Sequence, residues 1–220
     1  MPSLPAVTAI VLAAGQSTRM GGRNKLLLPY RGKTLIENMV DVVAASRAAQ
    51  VVVVLGHEAG RVRPLLNGRC GNGGRVTTVE NPSYEEGMAT SIQAGLRAAP
   101  PSDGYMICLT DLPLLEPEDL DRLLGAFATR PPEKDILLPL HGGKRGNPVL
   151  FSAGYAPEVA RASGPIGGCK GIVKRYPQRV LEVEFGNDHA VWDIDTAEDY
   201  ERLLARAAEP PPQPSEGRHA

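Results

Sequence analysis

The sequence has little net charge of either sign. Its 220 residues include 24 Lys and Arg against 25 Asp and Glu, which leaves a formal charge of −1 at pH 7. A chain that coats nucleic acid through bulk positive charge is therefore excluded, while a local basic pocket is not. From this charge balance we expect no nucleic-acid partner.

Cysteine is scarce, and long hydrophobic runs are missing. Cys70, Cys108 and Cys169 are widely spaced and form neither a CxxC pair nor a Cys/His cluster with zinc-site spacing. The N-terminal apolar run, residues 9–15, is far shorter than the roughly 20 residues that a membrane-spanning helix needs. These absences predict a cytoplasmic protein with no disulfide framework, no targeting segment and no membrane partner.

What the sequence does contain is an alternation of apolar, β-branched runs with helix-like segments. Val7–Ala13 and Gln50–Leu55 have the near-continuous apolar character of strands that are buried on both faces. The predicted strands are 7–13, 50–55, 75–79, 105–110, 136–140, 148–151, 180–185 and 190–194, and the predicted helices are 33–49, 61–66, 85–98, 117–128 and 196–207. The alternation indicates βαβ units and a three-layer α/β fold, with a mostly parallel, Rossmann-like sheet and helices on both faces.

One domain is predicted for residues 1–207. The remaining stretch, 208–220, is rich in proline and has nothing to bury, so we expect a disordered tail. Ligands of such sheets bind beyond the carboxyl ends of the strands. The polar motifs that follow the predicted strands should therefore converge on one site.

The first polar motif follows strand 7–13 and reads LAAGQSTRMG, with a lysine four residues later. Small residues allow a ligand close to the backbone, exposed N–H groups attract anions, and two cations can neutralise a polyphosphate. The nucleotide-binding candidates are therefore Leu12, Ala13, Ala14, Gly15, Arg19 and Lys25. Neither a Walker A motif nor GxGxxG is present, and the alternative is a plain strand–loop–helix connection with surface cations.

Aspartates follow two further predicted strands. Asp111 ends strand 105–110, where a carboxylate suits Mg²⁺, which takes one or two carboxylates together with phosphate oxygens and water. The alternative for Asp111 is a cap of the turn before Pro113. Asp193 and Asp195 are two positions apart and on a strand would share a face, although Asp195 also precedes a helix and could simply cap it.

Glycines mark three more polar segments. Gly87 permits close backbone approach, and Ser91 would lie near a helix N-terminus facing the same cleft. Asn147 ends a glycine-rich basic hairpin, and Lys170 follows a second glycine-rich stretch. Cys169, beside Lys170, is either a thiol of lowered pKa or an incidental small residue. The alternatives are an ordinary helix start and flexible basic loops.

Six blocks give the sequence a recognisable resemblance: LAAGQSTRMG, NKLLLPYRGKTLIE, ENPSYEEGMATSIQAGL, CLTDLPLL, GNPVLF and VWDIDTAEDYERL. Together they span residues 7–204, and their order and spacing resemble the MobA-like nucleotidyltransferases. Within these, the chain looks most like the molybdenum-cofactor cytidylyltransferases. The resemblance implies a nucleotide-diphospho-sugar transferase-like fold.

The resemblance also implies roles. Lys25, Arg19 and Asp111 would be catalytic, Asp111 and Asp195 would hold Mg²⁺, and the region of Gly87 and Ser91 would meet the nucleoside. The segments of Asn147 and Lys170 would face the acceptor. Relatives often carry His or Gln where Asn147 stands, and a Gly-Asp-Arg-Gly-like stretch that this chain lacks near Lys170.

The expected activity is transfer of CMP from CTP to the phosphate of a molybdopterin-type cofactor, with release of pyrophosphate. Residues 13–15 read Ala-Ala-Gly, where the guanylyl branch commonly reads Ala-Gly-Gly. A transient contact with a molybdoenzyme or its chaperone is a further expectation. The alternatives are a guanylyltransferase or other NTP transferase on a different phosphorylated acceptor, a non-catalytic cofactor carrier, and an oxidoreductase of dyes or flavins.

Overall fold

The structure is a computed structural model that describes residues 4–70, 74–162 and 168–208. The predicted tail from residue 209 onward, and residues 164–167 of the second glycine-rich stretch, lie outside the described residues. Among the residues that are described, no helix is both long and apolar enough to cross a membrane.

Ten strands and seven helices make up the described part of the chain. The strands are β1 (Val7–Ala13), β2 (Pro29–Tyr30), β3 (Lys33–Thr34), β4 (Gln50–Leu55), β5 (Val76–Glu80), β6 (Gly104–Leu109), β7 (Ile136–His141), β8 (Lys144–Arg145), β9 (Val149–Ser152) and β10 (Val180–Glu184). The helices are α1 (Leu35–Ala45), α2 (Ala59–Val62), α3 (Met88–Ala98), α4 (Pro117–Thr129), α5 (Ala156–Arg161), α6 (Cys169–Arg175) and α7 (Ala197–Ala208).

The central sheet has the order β10-β7-β9-β6-β1-β4-β5, with β8 paired to β7. β1 runs parallel to β4 and β6, β4 runs parallel to β5, and β7 runs parallel to β10. β9 is antiparallel to both of its neighbours. The predicted, mostly parallel sheet is therefore confirmed.

Helices cover both faces of the sheet, which confirms the three layers. One apolar cluster packs α1, α2 and α4 against alternate residues of β1. The other packs α3, α5 and α6 against the remaining face. All seven residues of β1 are buried, which explains its unbroken apolar run.

Helix α3 lies directly on β1. A Cβ atom at Gly95 would come within 2.3 Å of the Ile10 side chain, so only glycine allows this approach. The helix connects β5 to β6, two strands with the same direction, and therefore runs back against the sheet with its N-terminus at the strands' carboxyl ends. That end, beginning at Gly87, is the one that borders the cleft described below.

The predicted strand at 190–194 is wrong. Residues 187–195, called here the edge segment, form no strand but cross the carboxyl edge of the sheet. Their backbone hydrogen bonds to the rest of the chain are isolated ones rather than those of a paired strand. The Asn147 N–H donates to the Ala190 carbonyl, and the Ile194 N–H donates to the Asp111 carbonyl. An apolar run that lies along an edge therefore resembles a buried strand in sequence without pairing as one.

Other boundaries also differ from the prediction. Helix α1 begins at Leu35 because Thr34 caps it, in a reciprocal capping box with Glu37. The residues before that cap form the short β2–β3 hairpin, which the sequence reading missed, as it missed α5 and α6. Thr196 and Asp199 cap the last helix: Thr196 Oγ1 accepts from Asp199 N–H, and Asp199 Oδ2 accepts from Thr196 N–H.

Candidate functional site

Four segments meet at the carboxyl edge of the sheet and form one cleft. They are the loop after β1, the turn after β6, the connection from β5 to α3, and the edge segment. The cleft has a volume of about 380 Å³. It is lined by Leu12, Ala14, Gly15, Gln16, Ser17, Thr18, Arg19, Met20, Lys25, Tyr84, Glu85, Gly87, Met88, Ser91, Leu109, Thr110, Asp111 and Asp195. The predicted convergence of polar motifs at strand ends is therefore observed.

The loop after β1 is held by its own hydrogen bonds. Ser17 has a left-handed backbone, with φ of 53°, and its hydroxyl accepts a hydrogen bond from the Lys25 N–H at 3.1 Å. Asn24 caps the short turn that follows, because its side-chain oxygen accepts from the Leu26 N–H at 3.0 Å. Met20 is buried and anchors the middle of the loop. This folding brings Arg19 and Lys25 to the same side of the cleft.

Two cations and two carboxylates form a paired network in the cleft. Arg19 contacts Asp195 through both terminal guanidinium nitrogens, Nη2 and Nη1, at 2.9 and 2.8 Å. Lys25 Nζ lies 3.2 Å from Asp111 Oδ2 and 4.0 Å from Asp195 Oδ1. Lys25 also donates to the Ile194 carbonyl at 3.1 Å, so the edge segment completes its surroundings.

Asp111 has one carboxylate oxygen without a partner. Its Oδ2 is bound by Lys25, while Oδ1 is buried and has no hydrogen-bond partner. Beside it, the Thr110 hydroxyl donates to the Leu12 carbonyl at 3.1 Å and ties the end of β6 to β1. A buried anionic oxygen without a donor is costly unless a cation compensates it.

Asp195 is positioned by the edge segment rather than used as a helix cap. Thr196 caps α7, and the Asp195 side chain turns to Arg19 instead. Asp193 is exposed and does not line the cleft, because residues 190–194 are not the strand that would have put both aspartates on one face. The pKa of Asp193 is raised by its own desolvation and then by the neighbouring charge of Asp195.

The start of the edge segment is fixed to α4. Asp119 is buried, and its carboxylate accepts from Asn187 at 3.0 Å and lies 2.8 Å from His189 Nδ1. Burial raises the pKa of Asp119, but the hydrogen bonds from His189 and Asn187 outweigh it and leave that pKa below its usual value. The same contact with Asp119 raises the pKa of His189, with burial opposing.

A close approach in the middle of the edge segment explains one glycine. A Cβ at Gly146 would come within 2.2 Å of the Ala190 carbonyl oxygen. The edge segment therefore packs directly against the chain before β9. This contact could not be seen in the sequence, where Gly146 reads only as part of a flexible hairpin.

The connection from β5 to α3 forms the opposite wall. Ser91 lines the cleft, and its hydroxyl accepts from the buried Asn81 side chain at 3.0 Å. Tyr84 packs so closely on Gly56 that a Cβ there would lie 2.7 Å from the Tyr84 Cβ. The segment was predicted to meet the nucleoside through Gly87 and Ser91; the structure adds Tyr84, which lines the cleft, and Asn81, which holds Ser91. Their only signal was the Asn-Pro turn after a strand.

Three predicted site residues do not line the cleft. Ala13 is buried in the core beneath it. Asn147 stands just before β9, at the edge where β6 ends, but its side chain is not part of the cleft wall. Lys170 is exposed on α6. Cys169, next to it, is buried, which raises the pKa of its thiol to about 12 and is the reverse of an activated nucleophile.

Residues 9–180 match the MobA-like NTP transferase domain. The chain is 31% identical over 204 residues to nicotine blue oxidoreductase of Paenarthrobacter nicotinovorans, covering 91% of this chain and 98% of that protein. It is 26% identical over 202 residues to molybdenum cofactor cytidylyltransferase of Escherichia coli K12, covering 90% of this chain and 95% of that protein.

Solved structures are also similar to this chain over nearly its whole length. Rv0371c from Mycobacterium tuberculosis H37Rv is 30% identical, with a TM-score of 0.74 over 92% of this chain and all of that one. A complex of Rv0371c with manganese is 31% identical, with a TM-score of 0.68 over 91% of this chain and 98% of that one. The chain belongs to the MobA-like NTP transferase family and is a nucleotidyltransferase that acts on an NTP.

Proposed function

We propose that the protein transfers CMP from CTP to the phosphate of a molybdopterin-type acceptor, with Mg²⁺, and releases pyrophosphate. The observation that carries this proposal is the network of Lys25, Arg19, Asp111 and Asp195 at the carboxyl edge of the sheet. It combines cations suited to a triphosphate with carboxylates suited to a divalent cation. A plain structural loop requires neither.

The nucleotide's phosphates would lie against the loop after β1. Lys25 and Arg19 neutralise negative charge there, and the N-terminal end of α3 at Gly87 borders the same cleft. Helix N-termini and exposed backbone N–H groups favour anions. Ser91 and Gly87 would then face the nucleoside from the opposite wall.

The carboxylates fit Mg²⁺. Asp111 offers a buried oxygen without a donor, and Asp195 is a second carboxylate within reach of the same lysine. Among the residues described, no group of three or more His, Cys, Asp or Glu could hold a metal. Two carboxylates suit a cation that completes its shell with phosphate oxygens and water. The manganese complex of Rv0371c supports a divalent cation here.

The transfer is a single displacement. An oxygen of the acceptor phosphate attacks the α-phosphorus of CTP, the bond from that phosphorus to the bridging oxygen breaks, and pyrophosphate leaves with the bonding electrons. A bound divalent cation would offset the charge that develops on the phosphates. Lys25 and Arg19 position the two anions against each other and hold the leaving charge. A phosphate oxygen is already anionic, so the step needs no general base.

The choice of CTP rests on Ala13-Ala14-Gly15 and on the similarity to the Escherichia coli cytidylyltransferase. The choice of a molybdopterin-type acceptor rests on the same relative. Asn147, at the edge where β6 ends, is the residue we assign to the acceptor side. GTP, or another phosphorylated acceptor, is the alternative within the same reaction class.

A second candidate is reduction of a dye-like compound. The similarity to nicotine blue oxidoreductase favours it, because it extends over nearly the whole of both chains. The ion network argues for nucleotide transfer, since hydride transfer to a planar dye requires no carboxylate pair beside a phosphate loop.

One set of assays separates these functions. Purified protein is mixed with Mg²⁺, a molybdopterin-type acceptor and each of CTP, GTP, ATP and UTP in turn, and pyrophosphate release is followed. In parallel, oxidation of NADH or NADPH is followed with a dye acceptor. CTP-dependent pyrophosphate release supports the proposal. Reduced-nicotinamide oxidation without pyrophosphate release contradicts it.

A further inference from the structure

We propose that Glu58 is a positioning residue for Lys25, because its carboxylate holds the neighbouring residue Asn24 from outside the cleft. The inference rests on the proposed function, in which Lys25 contacts the phosphates of the nucleotide. Glu58 does not line the cleft, so it acts only through Asn24 and the turn that carries Lys25.

The side chain of Asn24 connects two loops. Its Oδ1 accepts a hydrogen bond from the Leu26 N–H at 3.0 Å and thereby caps the short turn Lys25–Leu27. Its Nδ2 donates to Oε2 of Glu58 at 3.0 Å. Only 7% of Asn24 is exposed, so water cannot easily replace the Glu58 acceptor if it is lost.

Glu58 belongs to the connection between β4 and α2, which also supports the other end of the loop after β1. The His57 N–H donates to the Ala14 carbonyl at 3.3 Å. A Cβ atom at Gly56 would lie 2.7 Å from the Cβ of Ala14, so the two loops are in direct contact. The loop after β1 is thus supported near its start at Ala14 and near its end at Asn24.

The backbone of Glu58 is in the left-handed region, with φ of 52° and ψ of 33°. A residue with a Cβ is strained there, and such strain is concentrated at functional sites. The side chain makes no capping hydrogen bond to α2, a helix that lies wholly within the described residues. Its two oxygens contact Asn24 and Arg61 instead. Glycine would adopt this backbone without strain, but it could not supply the carboxylate.

The contact matters because the turn sets where the Lys25 side chain begins. The Lys25 N–H donates to the Ser17 hydroxyl at 3.1 Å, and Nζ reaches Asp111 on the far side of the cleft. Without the Glu58 acceptor, the amide of Asn24 is no longer fixed as the cap, and the turn holds Lys25 less closely. A displacement of about 1 Å in an active site can lower the rate by about 10²-fold.

Steady-state pyrophosphate release from CTP tests the proposal. In Glu58→Ala we expect kcat/KM to fall about tenfold, with the larger part in kcat, since a misplaced cation stabilises the transition state less well. In Glu58→Gln the amide oxygen still accepts from Asn24, so kcat/KM should stay within about threefold of the wild type. Rescue by the glutamine variant identifies the hydrogen bond, and not the negative charge, as the cause.

A double-mutant cycle shows whether Glu58 acts through Lys25. A protein with Lys25→Ala has no lysine to position, so adding Glu58→Ala should lower kcat/KM by less than about a further twofold. A general structural defect would instead multiply the two losses. Arg61→Ala, which removes the other partner of Glu58, and Glu80→Ala, which opens an exposed ion pair with Arg63, are the controls and should retain activity.

Glu58→Gly covers the case in which Glu58→Ala does not fold. It also removes the acceptor, but it relieves the left-handed backbone, so its melting temperature should be no lower than that of Glu58→Ala while its activity falls equally. Wild-type activity in these variants overturns the proposal. So does an equal loss in Glu58→Ala and Glu58→Gln that persists beside Lys25→Ala. In both cases nucleotide transfer in this cleft still stands.

The proposed function fails separately, if the wild type releases no pyrophosphate with any of the four NTPs. The positioning of Lys25 is then measured by calorimetric titration of inorganic tripolyphosphate with MgCl₂. Glu58→Ala should bind it more weakly than Glu58→Gln and the wild type do, and equal binding by all three proteins overturns the proposal.

Discussion

Lys25 is the single residue on which the charge balance of the cleft depends most. It contacts Asp111, Asp195 and the Ile194 carbonyl at once, and thereby joins the turn after β6 to the edge segment. Its side chain is mostly buried, so its charge acts at short range with little screening.

We predict that Lys25→Ala lowers kcat/KM for CTP, because one charge-assisted contact to the phosphates is lost. The corresponding loss of transition-state stabilisation is roughly 2–4 kcal/mol. Arg19→Ala should act in the same direction, with more of its effect in KM. Steady-state pyrophosphate release checks both. Lys33→Ala, which removes a lysine that pairs with Asp41 away from the cleft, is the control and should retain activity. Unchanged turnover in a folded Lys25→Ala protein would remove Lys25 from the phosphate site.

Asp111 gives the sharpest residue-level test of the metal. Asp111→Asn keeps the shape of the side chain but removes its charge, and the buried Oδ1 has no donor to lose. We expect turnover to fall by about 10²–10³, because the transition state loses about 3–4 kcal/mol of charge stabilisation. The melting temperature should stay near that of the wild type. Asp195→Asn should show a smaller fall.

The opposite pattern would identify Asp111 as a structural residue. If Asp111→Asn melts at a lower temperature but keeps more than about half of its Mg²⁺-dependent activity, the metal proposal fails. Melting curves and pyrophosphate release on the same preparations decide between the two patterns.

At this scale the sequence revealed residue types but not their partners. Lys25 and Asp111 could be selected because each follows a predicted strand end. The pairing of Arg19 with Asp195 could not, because the two residues are 176 positions apart and meet only through the course of the edge segment. The acceptor role of Asn147 and Lys170 is implied by the resemblance alone, and neither residue lines the cleft.

Among the elements, the edge segment shows most clearly where a pattern misleads. An apolar run such as Ala190–Ile194 has the composition of a strand. Its periodicity cannot distinguish a strand that pairs within a sheet from an extended segment that crosses the edge of the sheet. The hydrogen bonds decide it, since they go to isolated acceptors and donors at Asn147 and Asp111 rather than to a neighbouring strand. The crossing is what places Asp195 over the end of β6.

The anchor of this segment on α4 should make stability depend on pH. The raised pKa of His189 means that its contribution is fully present below the unfolded value of 6.5 and is lost as pH rises through the folded value. The lowered pKa of Asp119 means that its contribution is present above the unfolded value of 3.8 and is lost as pH falls through the folded value. The charges facing His189 are those of Asp119, Glu116 and Asp188.

We therefore predict that His189→Gln loses roughly 1–2 kcal/mol of unfolding free energy at pH 5.5 and clearly less at pH 9. Urea denaturation at the two pH values measures the difference. In the double variant His189→Gln with Asp119→Asn, two neutral side chains face each other. The contribution of this contact to the unfolding free energy should then no longer depend on pH. A loss in His189→Gln that is equal at both pH values would show that the contact acts by packing alone.

For the whole molecule, the order of layers could be read from the sequence because buried parallel strands have unbroken apolar runs such as Val7–Ala13. The antiparallel placement of β9 between β6 and β7 could not, since strand order is set by long-range packing that no local pattern records. The short hairpin of β2 and β3 was equally invisible, because two-residue strands carry no periodicity. The site was predictable to the extent that it follows from where parallel strands end.

Binding at that edge should be visible in the stability of the entire chain. A ligand present at about 100 times its Kd adds about 2.7 kcal/mol to the folded state, which for a domain of this size raises the melting temperature by roughly 5–10 °C. We predict this shift for CTP with MgCl₂, and a shift smaller by about 3–5 °C for GTP at the same concentration, because a tenfold difference in affinity is about 1.4 kcal/mol.

Scanning fluorimetry with all four NTPs measures the order, and Asp111→Asn is the control in which the Mg²⁺-dependent part of the shift should shrink. A larger shift with GTP would reassign the donor base to guanine without touching the fold, because the strands, the phosphate loop and the carboxylates are common to both choices.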